Sequence, residues 1–380
     1  MAEVWTVKRC MDWTRAYLEE KGAERGRHEA VWMLSAVTGL SRMELFLSLD
    51  RPLSKAELDR MHGYVVRRAK GEPLQYILGD TQFRTITVLC EPGVLIPRPE
   101  TELLVEEVLN FLDKEVLLAS DARRARVELP WNAEVAAARS AEEARAREAA
   151  AAGGGSGEAS ADAPAELLDV TEEGERAEIA PGDGTPEAEG VVQAPEGSTV
   201  PARTGRSARV LEIGSGTGCI SLSIVSERPG LVTAVATDID PHAVALSVKN
   251  REALGIEPAR ADFREGSLTA PISHEERGSF DVLVSNPPYI PESVMPILPR
   301  EVTAYEPHRA LASGADGLDL FRHIVKAAPH MLRPGGLLAC ELFEDALSTA
   351  ADICTLAGFA DVHVTEDLTG RPRFVLARWR

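Results

Sequence analysis

The chain of 380 residues is 44 % hydrophobic, enough for packed cores and, by length, for two or three domains. No apolar run approaches the roughly 20 residues of a membrane-spanning helix, and Met1-Ala2-Glu3-Val4-Trp5 opens neither a secretory nor a transit pattern, so a cytoplasmic protein is expected. The formal net charge is −19, and residues 121–200, with 18 acids against 7 arginines, hold −11 of it; no broad basic face is left for direct nucleic-acid binding.

Residues 1–72 read as a small helical domain. Trp5 to Glu20, His28 to Val37 and Met43 to Leu47 carry apolar residues at helical spacing, and Ser54-Lys55-Ala56-Glu57 is a capping box opening a helix to about Lys70. The compact basic cluster Arg67-Arg68-Ala69-Lys70 fits a solvated helix end. Residues 73–114 read as a linker and the start of a second domain. Gly71 to Gly79 leads into short strands at Gln82 to Leu89 and Gly93 to Ile96. Pro97-Arg98-Pro99-Glu100-Thr101-Glu102 then precedes a helix from Leu103 to about Leu112. Rigid prolines around polar residues are a costly way to build a mere turn, so this segment is expected to line a site.

From 115 to 207 the pattern dissolves into acidic low-complexity sequence. Ala133 to Ala152 has the composition of a solvent-exposed helix, whereas Gly153-Gly154-Gly155-Ser156-Gly157 and the Pro/Gly/Glu-rich run after it bury too little apolar surface to offset chain entropy. A disordered insertion is expected. Strands then alternate with helices over 208–380: strand Arg209 to Ile213, helix Gly218 to Glu227, strand Val232 to Thr237, helix Pro241 to Leu254, a short strand near Ala261, and strand Phe280 to Ser285. Helix Gly317 to Leu332 is expected to stop at a turn, Arg333-Pro334-Gly335-Gly336, before strand Leu337 to Leu342. Helix Asp345 to Ala357 and strands Asp361 to Val364 and Arg373 to Trp379 complete the chain. Such alternation implies an α/β fold with a doubly wound, Rossmann-like sheet. The five cysteines, Cys10, Cys90, Cys219, Cys340 and Cys354, lack a C-x-x-C spacing, so buried thiols are expected and no metal site.

Two motifs carry chemistry. Gly214-Ser215-Gly216-Thr217-Gly218 joins a strand to a helix, where glycines let the backbone turn sharply beside a ligand, and Asp238 follows at the distance at which an acid meets ribose hydroxyls. A nucleoside-containing cofactor is implied, and the spacing does not separate NAD from S-adenosylmethionine. Asp240 competes for the ribose role, although capping the helix at Pro241 suits it equally. The second motif, Asn286-Pro287-Pro288-Tyr289, ends a buried strand abruptly and displays an amide, two rigid carbonyls and a ring at a strand's carboxyl end.

The second motif resembles the Asn-Pro-Pro-Tyr signature of class I methyltransferases that act on planar amide or amine nitrogens. Its logic is physical. A flat –NH2 donates one hydrogen to the Asn286 side-chain oxygen and one to the Pro287 carbonyl, while Tyr289 packs on the flat face. Such orientation contributes roughly 7 to 11 kcal/mol toward a near-attack geometry, and polarising the amide adds to it. Val94 to Glu102, Gly71 to Gly79, Tyr305-Glu306-Pro307-His308-Arg309-Ala310-Leu311 and Gly314-Ala315-Asp316-Gly317-Leu318 make the chain similar to the PrmC/HemK family over nearly its whole length outside the insertion.

The resemblance implies methylation of the glutamine N5 in the Gly-Gly-Gln loop of peptide chain release factors, with S-adenosylmethionine as methyl donor. It implies a class I S-adenosylmethionine-dependent methyltransferase sheet, and a helical N-terminal domain that helps dock the release factor as protein partner. Carried over, Gly214, Ser215, Gly216, Thr217, Gly218 and Asp238 bind the cofactor together with Leu268 and Asn286. Asn286, Pro287, Pro288 and Tyr289 hold the substrate, with Asn286, Pro287 and Tyr289 as the catalytic set. The chain departs from the family pattern at Gly266-Ser267-Leu268, where an acid and an aromatic are usual, at Leu342-Phe343 in place of Ile-Gly, and in the acidic insertion. Roles for Arg98, Glu100 and Glu306 stay open, with ion pairing that stiffens the pocket as the plainest. Two other functions stay open as well: methylation of adenine N6 in DNA or RNA, and a non-catalytic cofactor-binding adaptor.

Overall fold

The computed structural model describes residues 4–117 and 206–380. The expected insertion, including the helix at Ala133 to Ala152, lies outside the described residues apart from its margins. At those margins the fold continues: Val116 and Leu117 are buried in a π-helical turn that extends the preceding helix.

The N-terminal region packs α1 (Val7–Glu20), α2 (Gly26–Thr38), α3 (Arg42–Leu47) and α4 (Lys55–Ala69) around Leu18, Met33, Leu34, Leu45 and Met61. The Ser54/Glu57 capping box opens α4 as its spacing predicted, and a second, Ser41/Glu44, opens α3. Gly71 to Gly79 is not irregular throughout: it contains α5 (Leu74–Leu78), whose Leu74 and Leu78 join the same core and whose end is capped by Gly79 in the left-handed conformation. The cluster at the end of α4 is not simply solvated either. Arg67 is bidentate to Glu72, while Arg68 binds Glu29 of α2 and reaches Glu301, in the helix Arg300–Tyr305, 2.9 Å away.

A hairpin, β1 (Asp80–Phe83) with β2 (Ile86–Leu89), buries Phe83, Ile86 and Val88 against α6 (Thr101–Phe111) and the sheet. Gly93 to Ile96, expected as a strand, joins no ladder. Side chains satisfy its backbone instead: Tyr76 donates to the Val94 carbonyl at 2.6 Å, and the Ile96 N–H meets Glu306 Oε2 at 3.4 Å.

The sheet comprises β3 (Ala208–Ile213), β4 (Val232–Asp238), β5 (Ala261–Glu265), β6 (Phe280–Ser285), β7 (Leu332–Glu341), β8 (Ala360–Glu366) and β9 (Pro372–Arg378), in the order β5-β4-β3-β6-β7-β9-β8. All pairings are parallel except those of β9, which runs antiparallel to both neighbours. The helices are α7 (Cys219–Glu227), α8 (Pro241–Ala253), α9 (Arg300–Tyr305), α10 (Asp319–Met331) and α11 (Leu347–Leu356), and two apolar clusters form around the sheet. The turn expected at Arg333 to Gly336 is part of β7. The ladder begins at Leu332 opposite Phe280, shifts register, and resumes at Val282 opposite Leu337, while Gly335 and Gly336 exchange hydrogen bonds with Trp379. All five cysteines are buried and free. Among the described residues no helix is long and apolar enough to cross a membrane.

Candidate active site

Strand order reverses between β3 and β6, because the chain runs outward from β3 to β5 and then returns to place β6 on the other side of β3. Crevices at such switch points, outside the carboxyl ends of the strands, are where open α/β sheets bind ligands. Both chemical motifs emerge there. The Ser285 hydroxyl donates to the Ile213 carbonyl at 2.6 Å and ties the two strand ends together.

The glycine turn is held from below and behind. Gly214 and Ser215 donate their N–H groups to the Thr237 carbonyl at the end of β4, at 2.8 and 3.1 Å. From α8, Ser247 donates to the Gly216 carbonyl and Asn250 to that of Thr217, each at 2.9 Å. The Ser215 and Thr217 side chains are buried, so the turn offers its backbone to a ligand. At Gly218 φ is +80° and an added Cβ would lie 3.0 Å from the Phe263 ring, so only glycine lets α7 begin this close to β5. Asp238 accepts the Gly216 N–H on Oδ2 and the Asp240 N–H on Oδ1, both at 2.9 Å. Burial pushes its carboxyl above the ordinary range, and those two N–H groups oppose the shift. Each oxygen keeps a lone pair for a hydroxyl. Asp240 caps α8 through the His242 N–H and pairs with Arg309, which accounts for it without a ligand. Leu268 has φ +52°, and its carbonyl accepts the Thr237 hydroxyl at 2.7 Å, which fixes the loop after β5 beside the turn.

Beyond β6, the Asn286 to Tyr289 loop is clamped from three directions. Ile290 pairs with the 311–313 segment through Ile290 N–H to Leu311 O (2.8 Å) and Ser313 N–H to Ile290 O (3.0 Å). Gly317, at φ +78°, passes so near that an added Cβ would lie 2.2 Å from the Tyr289 carbonyl oxygen. On the third side lies a chain of side chains. Tyr289 donates its hydroxyl to Glu341 Oε1 at 3.0 Å, Thr101 donates to Glu341 Oε2 at 2.7 Å, and Asn286 Nδ2 donates to Thr101 Oγ1 at 3.0 Å. Glu341, at the end of β7, is 1 % exposed. Burial raises its carboxyl pKa while the two hydroxyls hold it down, and burial likewise raises the Tyr289 hydroxyl.

Thr101 and Glu341 are absent from the residues that motif matching assigns. Thr101 sits in the Pro97 to Glu102 segment, which the sequence marked as site-lining, and the signal at Glu341 was an acid inside an otherwise apolar strand. Arg98 and Glu306 form an ion pair, with Glu306 also holding Ile96, as the stiffening role predicted. Leu342 and Phe343 pack into the core on one side of the sheet.

The residues fit a cofactor that carries hydroxyls and further hydrogen-bonding groups. The turn has open space above Gly214, Asp238 has acceptor capacity, and Glu212 Oε1, two residues before the turn, is the one buried carboxylate oxygen without a partner among the described residues. Ser221 occupies the other Glu212 oxygen through its N–H and hydroxyl, and burial pushes the carboxyl up to about 8.

Comparison with known proteins finds relatives over nearly the whole chain. Residues 10–79 match the family described as PrmC N-terminal domain, and residues 198–296 match the methyltransferase small domain. The chain is 34 % identical to the release factor glutamine methyltransferase of Geobacter sulfurreducens, over 99 % of this chain and 98 % of that one. Proteins of the same name from Chlorobaculum tepidum and Rhodospirillum rubrum are 30 % and 34 % identical, each over 96 % of this chain and over 94 % and 82 % of their own.

Proposed function

The chain belongs to the release factor glutamine methyltransferase family, and from that premise we propose that it transfers a methyl group from S-adenosylmethionine to the side-chain N5 of the glutamine in a release factor's Gly-Gly-Gln loop. Bound at the glycine turn, S-adenosylmethionine would supply an electrophilic methyl carbon on a sulfonium sulfur. Gly214 to Gly218 would hold it through backbone groups, Asp238 through its ribose hydroxyls, and Leu268 and Asn286 would complete its pocket.

The Asn286 to Tyr289 loop would hold the substrate. Asn286 Oδ1 and the Pro287 carbonyl take one hydrogen each from the glutamine –NH2, Pro288 keeps the loop rigid, and the Tyr289 ring covers the amide face. Two acceptors in fixed positions orient the nitrogen and draw electron density toward it, so no base need act before transfer, and the proton that the methylated nitrogen then sheds passes to solvent. The observation that carries this reading is the orientation of Asn286: Thr101 occupies its Nδ2, which leaves Oδ1 as the group offered to a donor.

Release factors are the proposed protein partners, without direct nucleic-acid contact, in the cytoplasm. The helical region of residues 1–72 would help seat them. A cleft of about 800 Å³ between that region and the 299–306 segment, lined by Trp32, Arg68, Arg98, Arg300 and Glu306, offers room for part of a protein surface. Incubation with methyl-labelled S-adenosylmethionine and either a release factor or nucleic acid tests the proposal. Label on the Gly-Gly-Gln glutamine is the expected result, and label on nucleic acid alone would overturn it.

A further inference from the structure

We propose that Thr101, itself held by Glu341, is a positioning residue that sets which end of the Asn286 carboxamide faces the substrate. This rests on the function proposed above. The two ends of a carboxamide have nearly the same shape and opposite chemistry, so packing alone does not choose between them. Hydrogen bonds do. The Glu341 carboxylate accepts on both oxygens, from Tyr289 at 3.0 Å and from Thr101 at 2.7 Å. A threonine hydroxyl has one hydrogen, and Thr101 spends it on Glu341. Only lone pairs of Thr101 Oγ1 remain toward Asn286, so the group that meets them at 3.0 Å must be the donor, Nδ2.

The acceptor Oδ1 is thereby turned the other way. A flipped Asn286 would set oxygen against oxygen at Thr101 and donor against donor at the substrate nitrogen, two mismatches for one rotation. The arrangement spans three parts of the chain: Thr101 opens α6, Asn286 follows β6, and Glu341 ends β7. Thr101 and Glu341 are 2 % and 1 % exposed, so water does not substitute readily for either. The site-lining character of Pro97 to Glu102 acquires a specific cause: the segment delivers one hydroxyl to one amide.

The test uses the full-length protein with Thr101→Val, which keeps the shape and removes the hydroxyl, Thr101→Ser, which restores it, and Glu341→Gln, which leaves one oxygen for two hydroxyls. On a release factor, kcat of the valine and glutamine variants should fall about 10- to 100-fold, with the dissociation constant for S-adenosylmethionine within about twofold of wild type by titration calorimetry. The serine variant should recover most of the lost rate. Wild-type kcat in Thr101→Val, or a serine variant as impaired as the valine one, would overturn the proposal. A readout independent of the substrate is slowed solvent exchange of the Asn286 side-chain NH2 in NMR, assigned by its disappearance in Asn286→Asp and expected to be lost in Thr101→Val. If the wild-type protein fails to label release factors, the proposed function falls, and the exchange measurement still decides the positioning role. Unprotected Asn286 NH2 protons in the wild type would overturn that role.

Discussion

Gly317 lies 28 positions after Tyr289, outside every motif that contacts a ligand directly in the proposed scheme, yet its replacement by alanine should disable transfer. The added Cβ would lie 2.2 Å from the Tyr289 carbonyl oxygen, and its next neighbour, the Tyr289 carbonyl carbon, is at 3.0 Å. A tolerable carbon–oxygen contact is about 3.2 Å or more, so the two segments must part by about 1 Å. Both atoms are backbone, so no side-chain rotation relieves the contact. The φ of +78° adds a left-handed strain of about 1 kcal/mol for alanine. A displacement of about 1 Å at an orienting loop costs about 100-fold in rate, and the strain with some lost packing lowers stability by about 1 to 3 kcal/mol. Single-turnover transfer of labelled methyl to a release factor would read the first effect, and a thermal melt the second. An unchanged turnover rate in Gly317→Ala would refute the idea that this close approach fixes the loop. A rate loss wholly matched by weaker cofactor binding would refute it too, because the loop is argued to orient the substrate.

Asn286→Ala should reduce kcat about 100- to 1000-fold, the usual cost of losing one fixed hydrogen-bonding group at the reacting centre, while calorimetry finds cofactor binding weakened far less than the rate, because the glycine turn and Asp238 remain. In Asp238→Ala the cofactor dissociation constant should rise about 10- to 100-fold, and the melting temperature should drop, because the Gly216 and Asp240 N–H groups lose their acceptor. Glu212 gives a pH dependence with a definite sign. Its carboxyl is raised from 4.5 to about 8 in the folded chain, so between those values the unfolded form sheds its proton while the folded form keeps it. Stability from this group is therefore full below 4.5, declines as pH rises, and reaches its minimum above 8. Glu212→Gln, which keeps an acceptor for Ser221, should melt progressively higher than wild type from pH 5 to pH 8 without cofactor, by a few kcal/mol at most. A constant difference across that range would show that Glu212 does not titrate there.

The sequence alone determined the alternation of strands and helices, the Ser54 capping box, the strand Phe280 to Ser285 and the two loops of the site. These features are set by local physics: apolar periodicity, glycine backbone freedom and the proline stop act within a few residues. Where short-range signals were read alone, they misled. Arg333 to Gly336 has the composition of a turn, but hydrogen bonds to Trp379 and a ladder that starts at Leu332 and resumes at Leu337 make it part of a strand. Gly93 to Ile96 has a strand's composition, but Tyr76 and Glu306 satisfy its backbone and no ladder forms. Arg68 reads as a solvated helix end until the fold brings Glu29 and Glu301 to it. The direction of the Asn286 amide belongs to the same class. Thr101 and Glu341 lie 185 and 55 positions away in sequence, and the hydrogen that decides the orientation passes between side chains that meet only after the sheet has formed. The sequence named the group proposed to face the substrate, and tertiary structure decides which of its atoms Thr101 leaves for that role.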